Sequence, residues 1–163
     1  VSTQVKDSVL FIMVDDSHYN YVVLEIALPK FKHIRVGGTC KMQTIEGRKL
    51  VQDSITMHLS GVTTVDMHLQ TKHLYINAKG TNHLLFEGYA YNAEVILTGA
   101  ARLQAMDLLV QDMHINCAGA SRAEISVQNQ LWAQAAGSTK ILYRGEPNIL
   151  QKIAVGGSLI EHI

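Results

Sequence analysis

Four side chains that carry or can acquire positive charge recur at nearly even intervals: His83, Arg102, Arg122 and Lys140, separated by 19, 20 and 18 residues. On a rigid support that returns to the same place once per interval, they would form a ladder suited to an anionic polymer held by electrostatics. The plainer reading is a charged sheet face that stays hydrated and resists edge association, with Glu124 compensating Arg122 from two residues away. Two aromatic residues, Tyr75 and Trp132, occupy a second recurring position, and Tyr89 and Tyr91 lie in the turn Glu87-Gly88-Tyr89-Ala90-Tyr91. Flat rings exposed on a rigid sheet stack on sugars or dock proteins. Equally, a flanking loop or a second copy of the chain could cover them, so a homo-oligomer stays open.

Metal and acid–base chemistry do not find their donors in this sequence. Among eight histidines, His58, His68, His73, His83 and His114 fall at different places in the interval, and no Cys or carboxylate completes a tetrahedral set. Solvated surface histidines are expected, with no metal and no cofactor. Glycan hydrolysis needs two carboxylates about 5 to 9 Å apart. Asp66, Glu124 and Glu161 share one recurring position, but Leu85, Gln104 and Leu142 interrupt it, and Asp107 and Asp112 read as charges of one loop. No catalytic residue is expected. Cys40 and Cys117 lie 77 residues apart. Cys117 is read as a small inward hydrophobe, and a disulfide between the two would have to join distant parts of the fold.

The interval itself comes from glycine. Gly61, Gly80, Gly99, Gly119, Gly137 and Gly156 are spaced by 19, 19, 20, 18 and 19 residues. Aligned on them, three columns are apolar. Ile55, Leu74, Ala93, Met113, Leu131 and Leu150 stand six before the glycine; Met57, Ile76, Val95, Ile115 and Ala133 stand four before; Leu59, Ala78, Leu97, Cys117, Ala135 and Ala154 stand two before. Only Lys152 breaks them. Mostly polar residues alternate between these columns, Thr56, Tyr75, Glu94, His114, Trp132 and Gln151 among them. After the glycine the alternation resumes, with Val65, Leu84, Leu103, Ala123 and Ile141 four past it. Period-two alternation makes strands with one buried face, and a fixed period of this length makes a repeat architecture. The pattern predicts an all-β, single-stranded, right-handed parallel β-helix, a β-solenoid with coils of about 19 residues. Tyr75 and Trp132 then sit three coils apart, roughly 14 Å.

The 163 residues fit one domain. Residues 1–21 are expected to supply a capping strand, 22–54 irregular first coils and 55–163 regular coils. In the irregular part, residues 22–28 alternate as a strand that Pro29 ends, and Gly37-Gly38 reads as an earlier turn of the same type. With 14 basic and 14 acidic residues the chain has no bulk charge to recruit nucleic acid, and no apolar run reaches the length of a membrane span. A chain that starts at Val1, without an initiator methionine or a signal peptide, reads as a processed or trimmed product.

Three motifs carry a resemblance. Leu28-Pro29-Lys30-Phe31-Lys32-His33-Ile34-Arg35-Val36-Gly37-Gly38 resembles an opening strand pair running into a glycine turn. Gly119-Ala120-Ser121 resembles a repeated turn, and Tyr143-Arg144-Gly145-Glu146-Pro147 a closing Tyr-x-Gly-x-Pro motif. Together, over residues 22–161, they are similar to the autotransporter-adhesin head domain (head GIN) family, common in Bacteroidetes and similar in fold to pectin-lyase-like β-helices. The resemblance implies a non-catalytic, extracytoplasmic binding or adhesion module at the cell surface, periplasmic, outer-membrane-associated or secreted. Its partner would be a polysaccharide or a cell-surface protein. It carries over no catalytic residues. The competing classes are a polysaccharide lyase or hydrolase of the same fold and an assembly subunit without a ligand.

Overall fold

The structure, a computed structural model, describes residues 1–14, 22–27 and 30–163. Among these residues every regular element is a strand: β1 (Ser2–Lys6), β2 (Val9–Met13), β3 (His33–Val36), β4 (Thr39–Gln43), β5 (Leu50–Gly119), β6 (Arg122–Gly137), β7 (Lys140–Arg144), β8 (Ile149–Gly156) and β9 (Leu159–His162). β1 and β2 pair antiparallel with each other in a sheet of their own, turning through Asp7 and Ser8, both at positive φ. All the remaining strands pair in parallel. β5 runs unbroken for 70 residues because it bends through several coils without leaving extended backbone. The fold is a β-solenoid.

Stacking is the way such a sequence makes a core. One coil presents a stripe of apolar residues too narrow to bury itself, and each coil covers the stripe of the next. The three aligned columns are buried from Ile55 to Ala135, and residues past the glycine (Val65, Leu84, Leu103, Ala123 and Ile141) close the same cluster from the other wall. Most of the columns between them, including Thr56, Tyr75, Glu94 and Trp132, point outward. In the last coil Leu150 is 41% exposed and Ala154 is also exposed, because among the described residues no further coil lies over β8.

The glycines stack directly on one another. A Cβ built on Gly99 would lie 2.6 Å from the carbonyl oxygen of Gly80, and one on Gly119 would lie 2.6 Å from that of Gly99. Both have φ above 100°, a conformation that L side chains rarely adopt. The ladder extends down to Gly38, so Gly37-Gly38 does begin the series. Two residues past each glycine, a short hydroxyl side chain often turns inward and ties the turn to the coil before it. The Ser121 hydroxyl donates to the Gly99 carbonyl at 3.1 Å, and the Ser158 hydroxyl donates to that of Ala135 at 2.9 Å. This is the physical content of the Gly-x-Ser/Thr turn: the small hydroxyl adds a side-chain hydrogen bond to a carbonyl of the coil before it, in the Gly99 case beside the backbone bond from the Ala120 N–H.

Uneven spacing has a local cause. The coil of 20 residues after Gly99 carries register irregularities between Ala105 and Leu109 and between Val110 and Asp112. Asp107 is exposed in that bulged stretch, whereas Asp112 continues on a strand paired with Gln130. The two aspartates therefore do not share one loop, as their spacing suggested. Residues 22–27, expected as part of a strand, form none, and Val23 is 80% exposed. Alternation makes a strand only where a neighbour receives its N–H and C=O groups. Leu28 and Pro29 lie outside the described residues.

Both cysteines are free, and Cys117 is buried in the core. Burial pushes its thiol from the usual 9.0 up to about 12. The neutral thiol is thus the form the fold favours. Its contribution to stability is complete below pH 9 and is lost as pH rises toward 12. In native protein at pH 8, iodoacetamide is expected to modify Cys40 and spare Cys117 until the chain unfolds. Above pH 9, Cys117→Ala should flatten the alkaline loss of stability by on the order of 1 kcal/mol per pH unit. Equal labelling of both thiols in folded protein would contradict this.

Candidate functional site

Each coil presents two outer walls, one before the glycine turn and one after it. On the wall after the turn, Arg102, Arg122 and Lys140 are Cα partners on successive rungs, and His83 precedes them by one period. These side chains do not stand as free charges. The Arg122 guanidinium donates to Glu124 at 2.7 Å, the Lys140 ammonium lies 3.1 Å from Glu161, and the His83 ring nitrogen lies 2.7 Å from the side-chain oxygen of Gln104. Among the described residues Arg102 alone of the four has no such partner. Exposed pairs of this kind add little stability, but they cancel much of the ladder's local charge. Glu161 and Gln104 belong to the very column that looked too interrupted to matter.

On the wall before the turn, the outward columns seven and five before the glycine form a shallow groove of about 380 Å³ that runs across five coils, from Ser54 to Trp132. Its floor is the column Tyr75, Glu94, His114 and Trp132. His114 and Trp132 are Cα partners on neighbouring rungs, and their rings pack with centroids 4.0 Å apart at 56°. Tyr75 packs against His58 at 5.6 Å on the other side. His73, Asn92, Asp112 and Gln130 line the groove's flank. Asp112 is held in place there by an Asn129 amide that donates to it at 2.7 Å. A second depression of about 200 Å³ continues the groove toward Asn116 and Gln134 and shares Glu94, His114 and Trp132 with the first.

The structure thus brings Tyr75 and Trp132 onto one groove and gathers His83, Arg102, Arg122 and Lys140 on the other wall. Sequence reasoning missed the groove's polar half: Glu94, His114, His73, Asn92, Asp112 and Gln130. The signal was in the alignment, where Glu94 and His114 stand between the two rings in one column, but they were read as mere outward spacers. Among the described residues no three His, Cys, Asp or Glu side chains converge in a metal-holding group, and no helix is long and apolar enough to cross a membrane.

A β-solenoid of stacked coils is a repeat protein, in which each coil contacts only its neighbours. The chain belongs to the family described as "putative auto-transporter adhesin, head GIN domain", whose sequence model matches residues 1–147. That span takes in the β1–β2 hairpin and ends at Pro147, the last residue of the closing motif. β8 and β9 lie beyond it, yet they continue the stack in the same register, Gly156 upon Gly137. No curated protein shows significant sequence similarity to the chain.

Proposed function

We propose that this chain is a non-catalytic adhesion module working outside the cytoplasm, and that it contacts glycans or other cell-surface molecules through the groove before the glycine turn. The observation that carries this reading is the groove itself: two aromatic rings and a row of amide, imidazole and carboxylate groups fixed on adjoining rungs of a stiff sheet. Preorganised side chains lose little freedom on binding, which favours recognition by an exposed face. Membership of an adhesin head family supports the class and the location. The test is attachment of the purified chain, coupled to beads, to a panel of microbial and animal cell surfaces. Attachment that Trp132→Ala weakens is expected. Attachment to no surface, or attachment indifferent to every groove substitution, would remove the reading.

One observation favours a hydrolase as the second reading. Glu94 and Asp112 line the same groove from adjacent coils, roughly 8 Å apart along the backbone from rung spacing and strand rise. Against it, the acid of such a pair is kept in dry surroundings, whereas Glu94 is exposed and Asp112 already accepts from Asn129. Release of reducing ends from a polysaccharide, abolished by Glu94→Gln, would establish the hydrolase instead.

A further inference from the structure

We infer that the groove takes an extended, uncharged glycan chain lying along the solenoid axis; this rests on the binding reading above. The first support is charge. The groove's lining includes two carboxylates, Glu94 and Asp112, and contains neither lysine nor arginine. An acidic polymer would meet repulsion there, while the cations of the opposite wall are largely paired with Glu124 and Glu161.

The second support is chemistry. Sugar rings present apolar C–H faces and a rim of hydroxyls, and the groove offers counterparts for both. Tyr75 and Trp132, each half-buried and fixed against His58 and His114, supply flat platforms. Glu94 and the flanking Asn92 and Gln130 supply acceptors and amide donors of the kind hydroxyls pair with.

The third support is geometry. The floor column repeats once per rung, about 4.8 Å, close to the advance of one ring in an extended chain. Tyr75 and Trp132, three rungs apart, would then hold rings separated by two intervening units, which Glu94 and His114 face. A straight, stiff groove suits a straight chain and disfavours a coiled one.

The sequence contains one tryptophan and six tyrosines, so fluorescence excited selectively at tryptophan reports on the groove alone. The experiment titrates the protein with cellohexaose, mannohexaose, xylohexaose and chitin hexasaccharide, and with polygalacturonate, at low and high NaCl. At least one neutral hexasaccharide is expected to shift Trp132 emission saturably, with an affinity that salt leaves unchanged. Tyr75→Ala keeps the reporter and should weaken that affinity at least about tenfold, while Arg102→Ala/Arg122→Ala leaves it intact. Because Tyr75 points outward, the variant should melt like the parent, which separates lost contact from lost fold. Salt-sensitive binding of polygalacturonate that the double arginine variant removes would overturn the inference and move the contact from the groove to the opposite wall, whereas cell attachment that Trp132→Ala still weakens would leave the adhesion reading standing. Attachment to cells with no response to any glycan would also overturn it and point to a protein partner.

Discussion

Gly99→Ala is expected to melt about 10 °C below the parent in thermal unfolding followed by circular dichroism. Two costs act together at this position. A non-glycine residue at φ +111° is strained by about 1–3 kcal/mol. The new methyl would also lie 2.6 Å from the Gly80 carbonyl oxygen and 3.2 Å from the Gly80 nitrogen, an intrusion that costs about 1–3 kcal/mol more. Neither neighbour can rotate aside, because both are backbone atoms of the coil beneath. The Gly99 carbonyl in turn accepts from the Ala120 N–H at 2.9 Å and from the Ser121 hydroxyl at 3.1 Å, so a displaced turn disturbs the coil above as well. A loss of about 3 kcal/mol corresponds to the stated shift for a chain of this size. Gly38→Ala separates the two costs. Gly38 also has positive φ, at +84°, but a Cβ there meets nothing within 4 Å. Its variant should lose less than half as much. Equal shifts for the two variants would mean that conformational strain alone, and not the stacking of glycine on glycine, makes these positions sensitive.

The same contrast explains what the sequence could and could not disclose. Period and alternation are properties of single positions, so the columns from Ile55 to Ala135 and the outward set between them were readable from a list of residues. What failed to read depended on neighbours. Leu150 and Ala154 fit their columns as well as Leu131 and Ala135 do, yet they are exposed, because burial is conferred by the next coil and not by the residue. Residues 22–27 alternate without making a strand for a related reason. The candidate sites divide along the same line. Tyr75 and Trp132 announce themselves by type, whereas Glu94 and His114 matter only because stacking sets them between two rings. The cationic column was legible as a ladder, but its pairing with Glu124, Gln104 and Glu161 is set by rotamers that no periodicity encodes.

Phe86→Ala should cost about 3–5 kcal/mol, the ordinary range for deleting a buried phenylalanine, and should change how the solenoid unfolds as well as when. Phe86 is the largest of the fully buried side chains among the described residues. Six residues past the glycine, its column reads Met67, Phe86, Ala105, Ile125 and Tyr143. A long side chain precedes the phenylalanine and an alanine follows it, so one wide ring occupies a stretch in which the next coil contributes almost no volume. Removing the ring leaves only a methyl group in its place, directly below Ala105. Two consecutive thin rungs result, and their backbones are fixed by the sheet hydrogen bonds on either side and cannot collapse to close the gap. In a stack where each coil touches only its neighbours, stability is close to a sum of coil and interface contributions. A weak interface in the middle therefore divides the stack into two blocks. Hydrogen exchange is the measurement that sees this. In the parent, amides of β5 on either side of Phe86 should exchange together with the global unfolding. In Phe86→Ala, amides before Phe86 should lose protection at lower denaturant than those of β6 and β7, whose interfaces are untouched. The swapped variant Phe86→Ala/Ala105→Phe restores total core volume one coil away and should recover only part of the loss, because Ile125, the partner of Ala105 on the next rung, then crowds the new ring. Full recovery would show that volume alone, and not its distribution among coils, holds this core together.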